Sequence, residues 1–370
     1  MIDEYDVIII GGGCSGLSLA LHIAKHQSHK KILILESRRE YQYDKIWSFW
    51  DVEAHPYENQ IQHRWSHWQI QHQGCRLIQS SPMYRYCSIP SNCFYKNAMQ
   101  QIHDLPQINL QMDSPVYHVE ESPSYVFVQT KKAIYRGSKV FDSRPDKTET
   151  YLYQHFLGWH IMSEHPIFDS KTITLMDFDV DQSKGLHFMY ILPFSAHEGL
   201  LESTFITPHL HEEQIYENSI SDYLKTRFKN PKYQMIRKER GVLPLRTTLP
   251  EQNSSKLIPI GAKAGWTRAS TGYAFLPIQK AIKKLAFNQQ KPAFFNIDLW
   301  LDRIFLNFLH DNLQEAPQVF FDLFRKNAPE QLIRFLTGNW STMDLLQVLF
   351  SMPKIPMLKQ ALRVMTKRGL

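Results

Sequence analysis

The chain lacks the signatures of several large protein classes. Its 370 residues hold only four cysteines, Cys14, Cys75, Cys87 and Cys93. These form neither a CxxC pair nor a Cys/His zinc spacing, which excludes a disulfide scaffold and a zinc module. Ordinary reduced thiols in a cytoplasmic protein are expected, with no metal ligand set. Long apolar runs are also missing. The longest uncharged stretch, residues 7–24, is broken by four glycines and a histidine, which suits a strand and a helix better than a membrane span. The first residues show neither the basic segment nor the cleavage site of a signal peptide. Charge is nearly balanced, 42 basic against 36 acidic residues for a net +6. No Lys/Arg block tracks a phosphate backbone, so a nucleic-acid partner is not expected. Internal repeats and low-complexity segments are absent.

What is present is a hydrophobic fraction of 43% and a high aromatic content, with 22 Phe, 17 Tyr and 8 Trp. That is enough for a substantial core and, at this length, for more than one domain. Residues 5–10, YDVIII, read as a strand buried on both faces of a parallel sheet. Gly11-Gly12-Gly13-Cys14-Ser15-Gly16 follows. Leu17, Ala20, Leu21 and Ala24 then recur at helical spacing. A second strand, KILILE, ends at Glu36, twenty residues beyond Gly16. This is a dinucleotide-binding fingerprint. Gly11 allows a tight turn, Gly13 lets backbone approach a pyrophosphate, and Gly16 lets helix and strand pack closely. The helix N-terminus offers free N–H groups, and Glu36 can accept bonds from a ribose. Its place near the N-terminus favours FAD over NAD by analogy between folds.

Further along, residues 41–95 are dense in aromatics and histidine. His63 and His67 are expected on one face of a strand, too far apart to share an ion. Residues 107–142 read as a meander of short strands. Residues 172–206 read as two or three longer strands, with Asp177, Asp179 and Asp181 on the wet face of one. A helix is expected over 213–229. Residues 256–286 repeat the strand, loop, helix order, with Gly261, Gly265 and Gly272 in the loop and a helix opening near Phe275. Beyond residue 292 the pattern is amphipathic helix studded with Phe and Trp, including Phe294, Phe295, Phe320 and Phe324.

These motifs, in this order, resemble the bacterial flavin-dependent lycopene β-cyclases. The resemblance runs from Gly11-x-Gly13-x-x-Gly16 through IWSFW (46–50), HRW (63–65), RYCSIPSNCF (85–94), FDSR (141–144), residues 176–204, GVLPL (241–245) and GAKAGWTRASTGYAFLP (261–277). It continues into the tail at 334–358. The resemblance implies an α/β glutathione-reductase-like fold, in which an FAD-binding Rossmann-type domain carries an inserted β-rich substrate domain and a C-terminal helical region. The implied division gives residues 1–60, 106–150 and 251–291 to FAD binding, and 61–105 and 151–250 to the substrate domain. Residues 292–370 form a helical, membrane-facing tunnel region. The implied reaction closes the ψ-ends of lycopene to β-ionone rings, through γ-carotene to β-carotene. It makes no net redox change yet needs reduced FAD, with NAD(P)H as electron donor. The acid of the family's Leu-Glu-Glu/Asp-Thr motif maps onto Glu202. The second acid of that motif is Ser203 here, and the family's Asp-Gly-Arg-Gly reads Asp142-Ser143-Arg144-Pro145.

Cyclisation without redox needs a proton donor, stabilisation of the resulting cation, exclusion of water and a base. Glu202, in the apolar context LLESTF, suits a carboxyl kept protonated by burial. The base is left open between the Glu202 carboxylate, the flavin and water. Gly11, Gly12, Gly13, Cys14, Ser15, Gly16 and Glu36 are expected at the cofactor, together with Gly265, Thr271, Gly272 and Tyr273 of the second loop. Trp47, Phe49 and Phe275 are the candidate substrate-channel aromatics. Competing readings are a flavin-dependent alkene reductase or hydroxylase of the same fold, or a non-catalytic carotenoid carrier. A carotene lives in the bilayer, so the Phe/Trp-rich helices, with Lys354, Lys359, Arg363, Lys367 and Arg368, are expected at a membrane surface. The expected location is cytoplasmic and peripheral to the membrane.

Overall fold

The structure is a computed structural model that describes residues 2–145, 150, 152–247, 254–286 and 297–366. The apolar run Asp3–Ile10 forms a central strand between Ile32–Leu35 and Ile134–Asp142, all parallel. Ile108–Gln111 extends the sheet on one side in parallel, and Leu257–Pro259 pairs in parallel with Ile134–Asp142. Val126–Thr130 and Val116–Glu121 add antiparallel strands at the other edge. Residues 108–111 therefore leave the expected meander. The helix Ser91–His103 carries the chain across the sheet before them, and such a crossover delivers a parallel neighbour. Three helices, Cys14–His26, Ser91–His103 and Phe275–Ala286, bury Leu17, Ile23, Phe94, Ala98, Ile278 and Ile282 in one core.

A second seven-stranded sheet runs in the order Tyr233–Pro244, Tyr153–Ser163, Glu198–Thr207, Leu186–Pro193, Thr172–Asp177, His67–His72, Cys75–Ser80. Its strands are antiparallel, except that Thr172–Asp177 and His67–His72 are parallel. The helix Glu213–Arg227 covers one face, burying Tyr216, Ile220 and Leu224 against Leu157, Leu201 and Phe205. The other face looks toward the C-terminal helices, and Phe188, Leu192 and Leu200 share a core there with Phe308, Phe321 and Phe324.

A three-stranded sheet, Ile46–Asp51, Arg85–Pro90 and His63–Trp65, stands between the two large ones. Side chains alternate across a strand. Trp50 and Tyr86 therefore join the second core, while Phe49 and Cys87 join the first. Among the described residues, five helices follow: Ile297–Asp311, Ala316–Lys326, Pro329–Leu336, Thr342–Ser351 and Lys354–Met365. Ser341 and Asp344 form a capping box on the fourth, and Arg334 holds the same Asp344 through two bonds of 2.9 and 2.6 Å. Among the described residues, no helix is long and apolar enough to cross a membrane.

Two local expectations change. His63 and His67 lie in different sheets, because the chain turns at Ser66 between them. The Thr172–Asp177 strand stops at Asp177, which is buried and accepts the Tyr223 hydroxyl at 2.7 Å. Asp179 and Asp181 fall in the following turn, where they accept backbone N–H groups of Gly74 and Ser183. Phe294, Phe295, Lys367 and Arg368 lie outside the described residues.

Candidate functional site

Two glycine loops converge at the ends of the parallel strands. Gly11 has φ +99°, a conformation L side chains rarely adopt, and a Cβ there would meet the Ser143 hydroxyl. A Cβ on Gly16 would strike the Gly11 carbonyl at 1.9 Å, so the helix can start here only on glycine. Gly13 faces open space, and the helix Cys14–His26 carries no side-chain cap and no acid in its first turn. Its N–H groups are left for an anion. From the second loop, Gly261 (φ +67°) comes so close to Ser15 that a Cβ would lie 2.5 Å from the hydroxyl.

Glu36 ends its strand beside this cradle. It accepts the Gly12 N–H at 2.6 Å and the Arg38 guanidinium at 3.0 and 3.1 Å. Burial alone would raise its carboxyl, but these bonds hold it below the usual carboxylate range. The Arg38 guanidinium lies over the rings of Tyr41 and Tyr95. Asp142, at the end of the neighbouring strand, is likewise held anionic against its burial by Arg144 and Lys263. Sequence reading missed Arg38, Tyr41 and Lys263. The basic residues that follow Glu36 were the available signal. Ser143 spends its hydroxyl on the Ile10 carbonyl at 2.8 Å, filling the space that Gly11 leaves. Cys14 is buried, its thiol pushed up to about 12, and Gln279 donates to its sulfur at 3.5 Å.

Beyond the loops lies a cavity of about 450 Å³ between the second sheet, the small sheet and the C-terminal helices. Strand register builds its polar wall. On the cavity face, Tyr190, Glu202, Gly158 and Glu239 stand opposite one another on four successive strands. Glu202 reaches the cavity, and Tyr190 stands beside it with its hydroxyl 3.0 Å from that of Tyr86. Burial first, and the charge of Glu239 second, push the Glu202 carboxyl well above its ordinary value. Glu239 is raised by burial too, against the pull of the Arg237 guanidinium 2.5 Å away. Ser203 faces the opposite side of the sheet and bonds His187 at 3.0 Å under the covering helix. The second position of the acidic motif therefore points away from the cavity. The carboxyl that meets Glu202 comes instead from Glu239, a position sequence reading did not single out.

Thr271, Gly272, Tyr273, Trp47 and Phe275 share the cavity wall with Glu202. Gly265 (φ +69°) ends the turn Gly261–Ala264 that leads to them. Tyr273 is half-buried, its hydroxyl pushed up to about 12 by loss of solvent around it, and accepts the Trp50 indole N–H at 3.0 Å. Phe49 does not reach this cavity. Alternation along Ile46–Asp51 turns it into the first core, stacked behind Phe275 with ring centroids 5.3 Å apart. Ser48 takes the cavity-facing place beside it. Arg268 and Ser270 tie the second loop to the helix Ile297–Asp311 by bonds of 3.2 and 2.7 Å to Asp302.

A second, almost wholly apolar groove of about 490 Å³ adjoins the first, sharing Ser270, Thr271, Phe320, Leu323 and Leu336 as walls. It runs between the C-terminal helices to Leu349, Phe350 and Leu358. Large apolar side chains of these helices reach the surface: Phe350, in the groove wall, is 71% exposed, Ile355 84% and Met365 69%.

The chain resembles known proteins along its whole length. The family described as "Lycopene cyclase protein" matches residues 6–362. A lycopene β-cyclase of Pantoea ananas is 26% identical, with 99% of each chain covered. One of Pseudescherichia vulneris is 24% identical, with 95% of each covered. Among solved structures, a geranylgeranyl bacteriochlorophyll reductase-like protein from Thermoplasma acidophilum superposes with a TM-score of 0.64 at 12% identity, covering 97% of this chain and 99% of that one. The flavin-dependent monooxygenase PieE superposes with 0.62 at 10% identity, covering 98% and 72%.

Proposed function

The chain belongs to the lycopene cyclase family, and we propose that it closes the acyclic ψ-ends of lycopene, and of the half-cyclised γ-carotene, into β-ionone rings. One observation carries this reading. A buried carboxyl, Glu202, sits in the wall of an aromatic cavity that continues into an apolar groove opening beside exposed Phe and Leu.

Glu202, kept in its acid form by burial and by Glu239, gives its proton to the terminal alkene. The electrons of the next double bond close the ring, and a ring carbon then loses a proton, so no electrons are gained or lost overall. The aromatic faces of Trp47, Tyr273 and Phe275 border the path of the positive charge. The apolar walls keep out water, which would otherwise trap the cation.

Gly11, Gly12, Gly13, Ser15 and Gly16, with the uncapped helix, would hold the pyrophosphate of FAD. Glu36 would meet its ribose, and Gly265, Thr271, Gly272 and Tyr273 would border its ring. The close-packed glycines and the free N–H groups of the first loop fit such a group. Reduced by NAD(P)H, bound FAD would supply negative charge beside the cavity. The exposed apolar residues of 343–365, with Lys354, Lys359 and Arg363 among them, would rest on the bilayer from which the carotene enters.

Expression in a lycopene-producing host, followed by pigment chromatography and mass measurement, tests the reading. β-Carotene of unchanged mass is expected. A gain of two hydrogens would mean an alkene reductase, a gain of oxygen a hydroxylase, and untouched lycopene would overturn the cyclase. Under anaerobic conditions, activity with NAD(P)H or dithionite should vanish when only oxidised FAD is supplied. The wild type should float with anionic liposomes, and Phe350→Asp with Ile355→Asp should leave it in the soluble fraction. Equal flotation of the double variant would remove this surface as the membrane contact.

A further inference from the structure

The row Tyr190, Glu202, Gly158, Glu239 crosses four strands, so Glu202 and Glu239 are not neighbours in the sheet. Their backbones are separated by a whole strand, about 10 Å at the usual spacing. They meet because the residue between them has no side chain. A Cβ on Gly158 would lie 2.9 Å from Cγ of Glu202 and 3.2 Å from Cγ of Glu239. Across that gap the two acidic side chains lie against the same bare flank of Gly158 and act on each other's charge. Two carboxylates are both acceptors, so the two groups can bond to each other only when one of them carries a proton.

We propose that Glu202 and Glu239 form one proton-sharing unit, in which Glu239 is a positioning residue that keeps Glu202 in its acid form and Gly158 is the spacer that lets them touch. This deepens the cyclase reading and rests on it for the reaction, but not for the pairing.

The groups around the pair set its charge. Glu239 pairs with Arg237, whose guanidinium lies 3.9 Å from the centre of the Tyr43 ring. Beyond them, His160 bonds Glu198 at 2.8 Å. Tyr190, Tyr86 and Tyr273 surround Glu202, Arg240 and Lys45 border the cavity, and Lys45 also acts on Glu239. In the resting state, one acid, one carboxylate and one guanidinium leave the unit neutral. When the O–H bond of Glu202 breaks and a C–H bond forms at the alkene, the unit becomes an anion facing a cation. When the ring C–H bond breaks, its electron pair becomes the ring double bond, and the proton returns to Glu202. Nothing is oxidised or reduced, and the unit is restored without bulk water. The base left open by the sequence is then the Glu202 carboxylate itself.

Purified enzyme reconstituted with FAD and assayed under reduction tests this. In Glu239→Gln, Arg237 keeps its charge while the negative charge that raises Glu202 is gone, so Glu202 ionises at lower pH. The alkaline limb of the kcat profile should move down by more than one pH unit, with a loss of at least tenfold at pH 7.5. KM and FAD content should stay unchanged. Glu239→Asp should recover part of the loss. Gly158→Ala should shift the limb in the same direction by parting the carboxyls. A wild-type profile in Glu239→Gln would overturn the proposal. A second readout needs no turnover. The infrared carbonyl band of a protonated carboxylic acid should be present in the resting wild type at neutral pH, absent in Glu202→Gln and weakened in Glu239→Gln. Its absence from the wild type would overturn the pairing even if lycopene is cyclised. Its presence with lycopene untouched would leave the pairing standing and remove the cyclase reading instead.

Discussion

Glu202 and Ser203 are adjacent in one strand and open onto opposite worlds. Glu202 faces a cavity that it lines together with Tyr190 and the second glycine loop. Ser203 faces the helix Glu213–Arg227, where the buried histidines have fixed partners. His187 bonds Ser203, Ser219 and the Asp181 carbonyl, and His155 bonds Thr207 and the Tyr216 hydroxyl. The His187 ring stacks on Phe205 at 4.0 Å. Both faces hold buried, strongly shifted titratable groups. Burial pushes His155 and His187 down to about 4, much as it raises Glu202. A shifted proton affinity therefore does not by itself mark a catalytic group. What separates the faces is room: one looks onto space for a ligand, and the other is filled.

The largest effect should follow from removing the acid on the open face. Glu202→Gln keeps the size and most hydrogen bonds of the side chain but cannot supply the proton. Positioned proton transfer is worth about 100- to 10,000-fold, so carotene turnover should fall by at least about 100-fold. FAD content should hold near the wild-type value. A carrier would be indifferent to the change, so full activity would remove Glu202 as the acid.

The two faces should also respond to pH with opposite signs. On the filled face the histidines are neutral when folded and bind protons near 6.5 when unfolded. The unfolded chain binds more protons below that value, so stability is lost as pH falls from 6.5 towards 4. For a shift to about 4, the loss between pH 7 and pH 5 is on the order of 2 kcal/mol per histidine. On the open face the raised Glu202 carboxyl stays protonated in the fold but ionises in the unfolded chain above its ordinary carboxyl range. The native state binds more protons there, and stability falls as pH rises. Denaturant unfolding between pH 4.5 and 8.5 should show a maximum between the two limbs. Glu202→Gln should flatten the alkaline side and leave the acidic side alone. An acidic limb that also disappears would mean that the faces are not independent.

The same alternation explains what the sequence could and could not tell. The glycine loops, Glu36 and the helix at Phe275 were legible because strand, turn and helix leave local patterns of fixed spacing. Glu202 was legible through its motif. Glu239 was not, because its partnership depends on which strand lies next to which, and the two acids are 37 positions apart. Gly158 carried no signal, since a glycine within a strand gives no hint of what it lets meet across it. Phe49 was placed in the channel because an aromatic reads alike from either side of a strand. Pairing with Arg85–Pro90 decided its side. The motif's second position departs from the family pattern at Ser203, and the pleat turns it away from the cavity.

The smallest effect sharpens that last point. Ser203→Ala removes one partner of His187, which still has Ser219 at 3.1 Å and the Asp181 carbonyl at 2.9 Å. The lost bond should cost about 1 kcal/mol, read as a small drop in denaturant midpoint with an unchanged slope. Because the hydroxyl lies behind the sheet from the cavity, kcat, KM and the pH profile should all stay at wild-type values. A kcat that fell while stability held would mean that the filled face reaches the reacting proton through the strand. The motif's second position would then belong to the chemistry after all. With kcat unmoved, the paired-acid role passes to Glu239, and a serine at position 203 is no obstacle to cyclisation.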